Sequence, residues 1–215
     1  MDKKLIKDVW LWSQLSFAFL YTLSILRIFI KIPILSNLPC FSLCLLLSIS
    51  YIMTMSKKIL TSEITSIVSE TNFYCLIVLL SFPSKILLLP FYVSSIFNLV
   101  DFVVTNKRQY HKYFFYETCK NIIIKRDIFI FSVYLLDVVG IFVASVGMLF
   151  RISNVMTVIG YCGMVRQEYL RSEKMKIIIS DFFKLLDSKV DKMPEIVKQW
   201  YVYSRDSKVK EIKTE

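Results

Sequence analysis

Apolar residues in this chain come in long runs instead of alternating with polar ones. Four runs stand out, from Val9 to about Ile32, from Cys40 to Met55, from Phe73 to Val104 and from Asp127 to Val165, and the basic residues cluster between and after them. About 20 consecutive apolar residues suffice for a helix to cross a hydrocarbon core of about 30 Å. The pattern therefore predicts an all-α, polytopic helical membrane protein with hairpin-like apolar segments. Residues 1–165 form the expected membrane domain, with a basic interfacial segment at 105–126, and 166–215 form a cytosolic amphipathic tail.

Run lengths refine this picture. The first run has Trp10 and Trp12 at its start and Arg27 and Lys31 near its end, which are interfacial anchors. Pro33 and Pro39 mark the turn that follows. The second run is stopped by Lys57 and Lys58, and at about 1.5 Å per residue its core reaches only about 24 Å. The third would extend roughly 48 Å as one straight helix, more than a bilayer needs. Pro83 and Pro90 bracket Lys85 there, and proline removes an intrahelical hydrogen bond, so the bend is expected between them. The fourth run has the same excess and is interrupted at Arg151 to Asn154.

Charge selects among the topologies. From Thr105 to Arg126 the chain carries Lys107, Arg108, Lys112, Lys120, Lys125 and Arg126 against Glu117 alone, and the N-terminal tail and the loop at Lys57 and Lys58 are basic too. Cytosolic loops are enriched in Lys and Arg, so all three belong on one side, with both termini cytosolic. The third run must then go in and come back as a hairpin, and the same reasoning makes the fourth a hairpin.

Two regions read as interfacial. Tyr110, Tyr113, Phe114 and Tyr116 mix with Lys112, Lys120 and Lys125. Further on, Met175, Ile178, Ile179, Phe182, Leu185 and Leu186 recur at helical spacing with polar residues around them, and after Pro194 a second stripe holds Ile196, Val197, Trp200 and Tyr201. Ile178, Phe182, Leu185, Leu186, Trp200, Lys107 and Arg108 are the expected membrane-interface residues. These stripes serve equally well to pack on each other or on the spans.

Composition agrees: 55% hydrophobic residues, 4 Gly and 5 Pro, with a mean hydropathy of +0.55. The net charge of +10 fits a headgroup surface better than nucleic acid, because the cations flank the apolar runs. Cys40, Cys44, Cys75, Cys119 and Cys162 form no C-x-x-C pair, which argues against a disulfide framework or zinc site, and Cys119 is a candidate for palmitoylation. The lysines before Val9 suggest a signal peptide, but the run is too long for a cleaved one and reads as a retained span. No Asn-x-Ser/Thr acceptor occurs.

Chemistry-bearing residues are few. Asp101 and Asp137 fall inside apolar runs, where a carboxylate is costly and suggests an ion path unless it pairs, for Asp137 with Arg27 or Arg151. His111 is the single histidine and suits an interfacial position. Neither a Gly-rich phosphate loop nor an H-E-x-x-H pattern is present, so neither an enzymatic activity nor a cofactor is expected.

The order of features resembles the transmembrane protein 33 family, which includes fungal perinuclear and pore-membrane proteins. Trp10-Leu11-Trp12, Tyr74, Ser81-Phe82-Pro83, Phe91 and Asn106-Lys107-Arg108 carry the resemblance, followed by Tyr161, Tyr169, Phe182 and Trp200. Glu168 departs from it, since a basic residue is expected before Tyr169. The resemblance implies a multi-pass, non-enzymatic protein of the endoplasmic reticulum and nuclear envelope that shapes curved membrane and assists nuclear pore distribution or assembly. Reticulon-type proteins, nucleoporins and, through the tail, an importin are its implied partners besides the lipid bilayer. The alternatives are a small ion-coupled transporter using Asp137 and Asp101, and an assembly subunit of a membrane enzyme.

Overall fold

A computed structural model describes residues 3–29, 40–60 and 67–189, together with 195, 198 and 199. Among the described residues there is no strand. The helices are α1 (Lys3–Phe29), α2 (Cys40–Leu60), α3 (Thr71–Leu80), α4 (Leu89–Thr105), α5 (Lys107–Tyr110), α6 (Phe115–Ile124), α7 (Arg126–Leu149), α8 (Val155–Arg171) and α9 (Glu173–Asp187). Met1–Met175 form one compact unit and Lys176–Glu215 another. α8 buries Met164, Val165 and Gln167 and continues past 165 to Arg171. At the other end, α1 begins at Lys3, six residues before the apolar run.

Proline breaks the third run where the pattern requires it. The residue before a proline is disfavoured in the helical region, and Phe82, ahead of Pro83, leaves it for a left-handed φ of 49°. A short 3-10 turn at Lys85–Leu88 follows, and α4 then opens with Pro90 in its first turn, where the missing N–H has no intrahelical partner to lose. The fourth run turns at Arg151, φ 57°. Asn154 starts α8 by accepting the backbone N–H of Thr157 at 2.9 Å, satisfying one of the donors that every helix N-terminus leaves unpaired.

Side-chain contacts sort the helix ends into two groups. At one end, Lys7 Nζ donates to Asn106 Oδ1 at 3.0 Å, Trp10 stacks near Phe102, and Asn72 donates to Thr54 at 3.2 Å. Arg171 pairs there with Glu70, and Lys174 with Asp127. At the opposite end, Tyr21 donates to the Lys85 carbonyl at 2.8 Å, Cys40 to that of Pro83, and Ser81 bonds Thr157 at 2.7 Å. Hence α1 with α2, α3 with α4, and α7 with α8 each run out and back. The N-terminus of α1, the segment from Asn106 to Arg126 and the exit from α8 all share one end. That end is the basic one.

The outer faces of the bundle are as apolar as its core, unlike those of a water-soluble helix bundle. On α7 the exposed positions are Phe131, Leu135, Val139, Phe142, Val146 and Leu149, whereas Asp137, Gly140, Ala144 and Gly147 are buried. On α2, Phe41, Leu45, Ile49 and Ile52 point outward, while Ser48 and Ser50 are buried with Leu43 and Leu47. Gln14 on α1 is buried and donates to Ser50 at 2.7 Å. Bulky apolar side chains outside, with small and polar ones between the helices, is the arrangement by which helices associate in lipid. Among the described residues three helices are long and apolar enough to cross a membrane: Lys4–Leu26, Lys85–Thr105 (counting the 3-10 turn) and Arg126–Leu149.

Two glycines allow α8 to close on α3. A Cβ on Gly160 would stand 2.5 Å from Val78 and 3.0 Å from its backbone nitrogen, and one on Gly163 would overlap the ring of Tyr74. Gly140 on α7 makes the same room for Tyr161, whose hydroxyl donates to the Leu87 carbonyl. Tyr161 thereby joins Phe17, Leu43, Leu47, Leu79 and Phe91 in the core.

Candidate functional site

Helices α2, α3, α4, α7 and α8 enclose a cavity of about 300 Å³. It extends from Asp137, eleven positions into α7, toward the basic end, where Thr71, Asn72 and Glu168 line it. Asp137 is 4% exposed, and its Oδ1 is buried without a hydrogen-bond partner. Glu168 accepts one hydrogen bond on each oxygen: Thr71 donates to Oε1 and the Tyr134 hydroxyl to Oε2, both at 2.9 Å. Those two bonds tie α8 to α3 and α7, so one carboxylate holds three helices together.

The remaining wall mixes aromatic residues, Phe91, Phe97 and Phe129 among them, with Ser94, Asn98 and aliphatic side chains. Phe97 and Phe129 lie 5.9 Å apart, and the Arg126 guanidinium sits 6.0 Å from the Phe97 ring on the side of the basic end. Among the described residues, neither Lys nor Arg lines the cavity. No group of three or more His, Cys, Asp and Glu side chains suited to a metal ion occurs among them either.

The two intramembrane carboxylates expected from sequence fall in different places. Asp101 is exposed, four residues before the end of α4, and is not part of the cavity lining. Asp137 is buried, and its setting contains the polar groups of neighbouring helices instead of Arg151, which is exposed in the turn after α7. The side chain of Arg27 lies outside the described residues. Glu168 is the second acidic group of the cavity. Its position in a run of mixed polarity hid it, and the signal that could have found it is that α8 presents it on the same face as Tyr161 and Met164, seven and four residues away.

The expected interface residues are also placed. Lys107 and Arg108 are exposed at the start of the short α5, and His111 beside them is exposed, with Nδ1 3.1 Å from the Lys107 carbonyl. Tyr113 and Phe114 are exposed, the latter 95%, whereas Tyr116 is buried. α9 is the most strongly amphipathic of the long helices. Within its stripe Met175 and Ile178 are buried, Ile179, Phe182 and Leu186 are half-buried, and Leu185 is exposed. Trp200 and the stripe after Pro194 lie outside the described residues. Burial raises the pKa of the Cys119 thiol on α6, which lowers the fraction present as the reactive thiolate.

No family model, curated protein or solved structure matches this chain.

Proposed function

We propose that this chain is a polytopic, non-enzymatic membrane protein that shapes or stabilises curved membrane of the endoplasmic reticulum and nuclear envelope and assists nuclear pore distribution or assembly. The observation that carries the membrane half is the bulky apolar exposed face of α2 and α7, while their buried faces also hold serines, glycines and Asp137 beside apolar residues. Such a surface in water would be a large apolar patch of the kind soluble monomers rarely expose.

Curvature follows from where the extra helices stand. α5 and α6 occur at the basic end, as does the start of α9, and the opposite end has only short turns at 81–84 and 150–154 among the described residues. Amphipathic helices lying at the headgroups of one leaflet widen that leaflet relative to the other. The site within the cell and the pore partners rest on the family resemblance.

A tagged full-length chain is expected to mark the reticulum and nuclear rim beside a pore marker. Removing 173–215, which leaves α8 whole, is expected to abolish enrichment at the rim and at curved reticulum. Plasma-membrane or vacuolar staining that ignores the truncation would overturn this reading. The Asp137 cavity favours a second reading, ion transport, with Glu168 in the place assigned to Asp101. Asp137→Asn separates the two, since it abolishes transport and leaves membrane shaping unchanged.

A further inference from the structure

The cavity has a composition that neither membrane shaping nor packing requires. Two carboxylates and no basic side chain line it, in a chain whose net charge is +10. Asp137 is 4% exposed and has an oxygen with no hydrogen-bond partner. An uncompensated buried carboxylate is destabilising, and one with an unpartnered oxygen at a cavity wall is stabilised by a positively charged occupant. Glu168 differs, because Thr71 and Tyr134 already satisfy it, yet a carboxylate accepting two hydrogen bonds still has lone pairs for a third.

The remaining wall identifies the kind of cation. A metal ion of the calcium type takes six to eight oxygen ligands. Here only two carboxylates line the cavity, and no group of three or more His, Cys, Asp and Glu suited to a metal ion occurs among the described residues. Aromatic faces together with a carboxylate are instead the setting that binds alkylammonium groups, the rings attracting the cation through their quadrupoles. About 300 Å³ is at the lower limit of small-molecule sites and roughly ten times the volume of a water, enough for a group of several heavy atoms.

We propose that the cavity between α4, α7 and α8 binds an alkylammonium group, with Asp137 as its principal counter-charge, Glu168 as the second, and Phe97 and Phe129 as the aromatic wall. The same chemistry is offered by a free organic amine and by the headgroup of an aminophospholipid. Thr71, Asn72 and Glu168 line the site on the side of the basic end, where the Lys and Arg segments stand.

Thermal unfolding of the full-length protein in dodecyl maltoside tests the site. Ethanolamine or tetramethylammonium is expected to raise the midpoint by roughly 5 °C or more at a hundredfold excess over Kd, while sodium chloride of equal ionic strength does not. Asp137→Asn is expected to fold and to lose the shift. Phe97→Leu is expected to weaken apparent affinity roughly 2- to 30-fold, and Glu168→Gln supplies a second carboxylate variant if Asp137→Asn fails to fold. A shift with soluble ammonium salts assigns a free amine. A shift confined to nanodiscs containing phosphatidylethanolamine, absent in those of phosphatidylglycerol alone, and lost in the carboxylate variant, assigns the lipid headgroup. The proposal is overturned if neither source shifts the midpoint, if sodium acts as strongly, or if the folded carboxylate variant keeps the full response.

Discussion

Vesicles reconstituted with the triple variant Phe182→Ser, Leu185→Ser and Leu186→Ser are expected to stay as large and round as protein-free vesicles, whereas the unaltered chain makes them smaller or tubular. These three side chains are half-buried or exposed on α9, and none belongs to the first compact unit, so removing them spares the bundle. Burying one large apolar side chain is worth about 1.5–3 kcal/mol, and the triple change removes on the order of 5 kcal/mol from seating α9 at the headgroups. That is enough to shift it from bound to free. Cryo-electron micrographs of the two vesicle populations, matched for protein content, make the comparison. Equal remodelling by the variant would mean that α9 is not the wedge.

Gly160→Val is expected to be the most damaging single change in the bundle. A helix normally gains from replacing glycine, but the first added carbon here meets Val78 at 2.5 Å and its backbone nitrogen at 3.0 Å. Backbone cannot rotate away, so α8 must separate from α3, breaking the Ser81–Thr157 and Thr71–Glu168 bonds that clip the two together. Overpacking of this kind costs about 1–3 kcal/mol before those bonds are counted. The expected result is a lower unfolding midpoint in detergent and retention of little folded protein in membranes. Cys162→Val, two residues away on an exposed position of the same helix, is the control and is expected to change neither.

Much of the architecture was legible because single residues and runs decide it. Pro83 and Pro90 announce the break in the third run whatever surrounds them, and the turn at Arg151 to Asn154 interrupts the fourth in the same way. The hairpin expected for each run came from charge, and the contacts of Lys7 with Asn106 and Lys174 with Asp127 bring the basic segments to one end. Other features depend on pairs. Glycine at 160 and 163 means little until Val78 and Tyr74 are seen against it.

Glu168 shows the same limit from the side of chemistry. Read along the chain it is a departure from a family pattern near a helix end. In the fold it accepts from two other helices and completes an acidic cavity with Asp137. Asp101 and Asp137 looked alike in sequence, each a carboxylate in an apolar run, and only packing separates the exposed one from the buried one. Hydrophobicity closes at Met164 and Val165, but burial continues to Gln167.

The three out-and-back helix pairs, with the N-terminus and the basic segment 105–126 on one face of a bilayer, are tested most directly by single-cysteine labelling. In a chain with its five native cysteines replaced, Lys4→Cys, Lys112→Cys and Ser188→Cys would each be exposed at the basic end or on α9's C-terminal flank, and Ile152→Cys, 52% exposed, at the α7–α8 turn. In sealed microsomes, a membrane-impermeant maleimide is expected to label the first three and to reach Ile152→Cys only after permeabilisation. Labelling of Ile152→Cys in sealed microsomes alongside Lys112→Cys would contradict the crossing of α7 and α8.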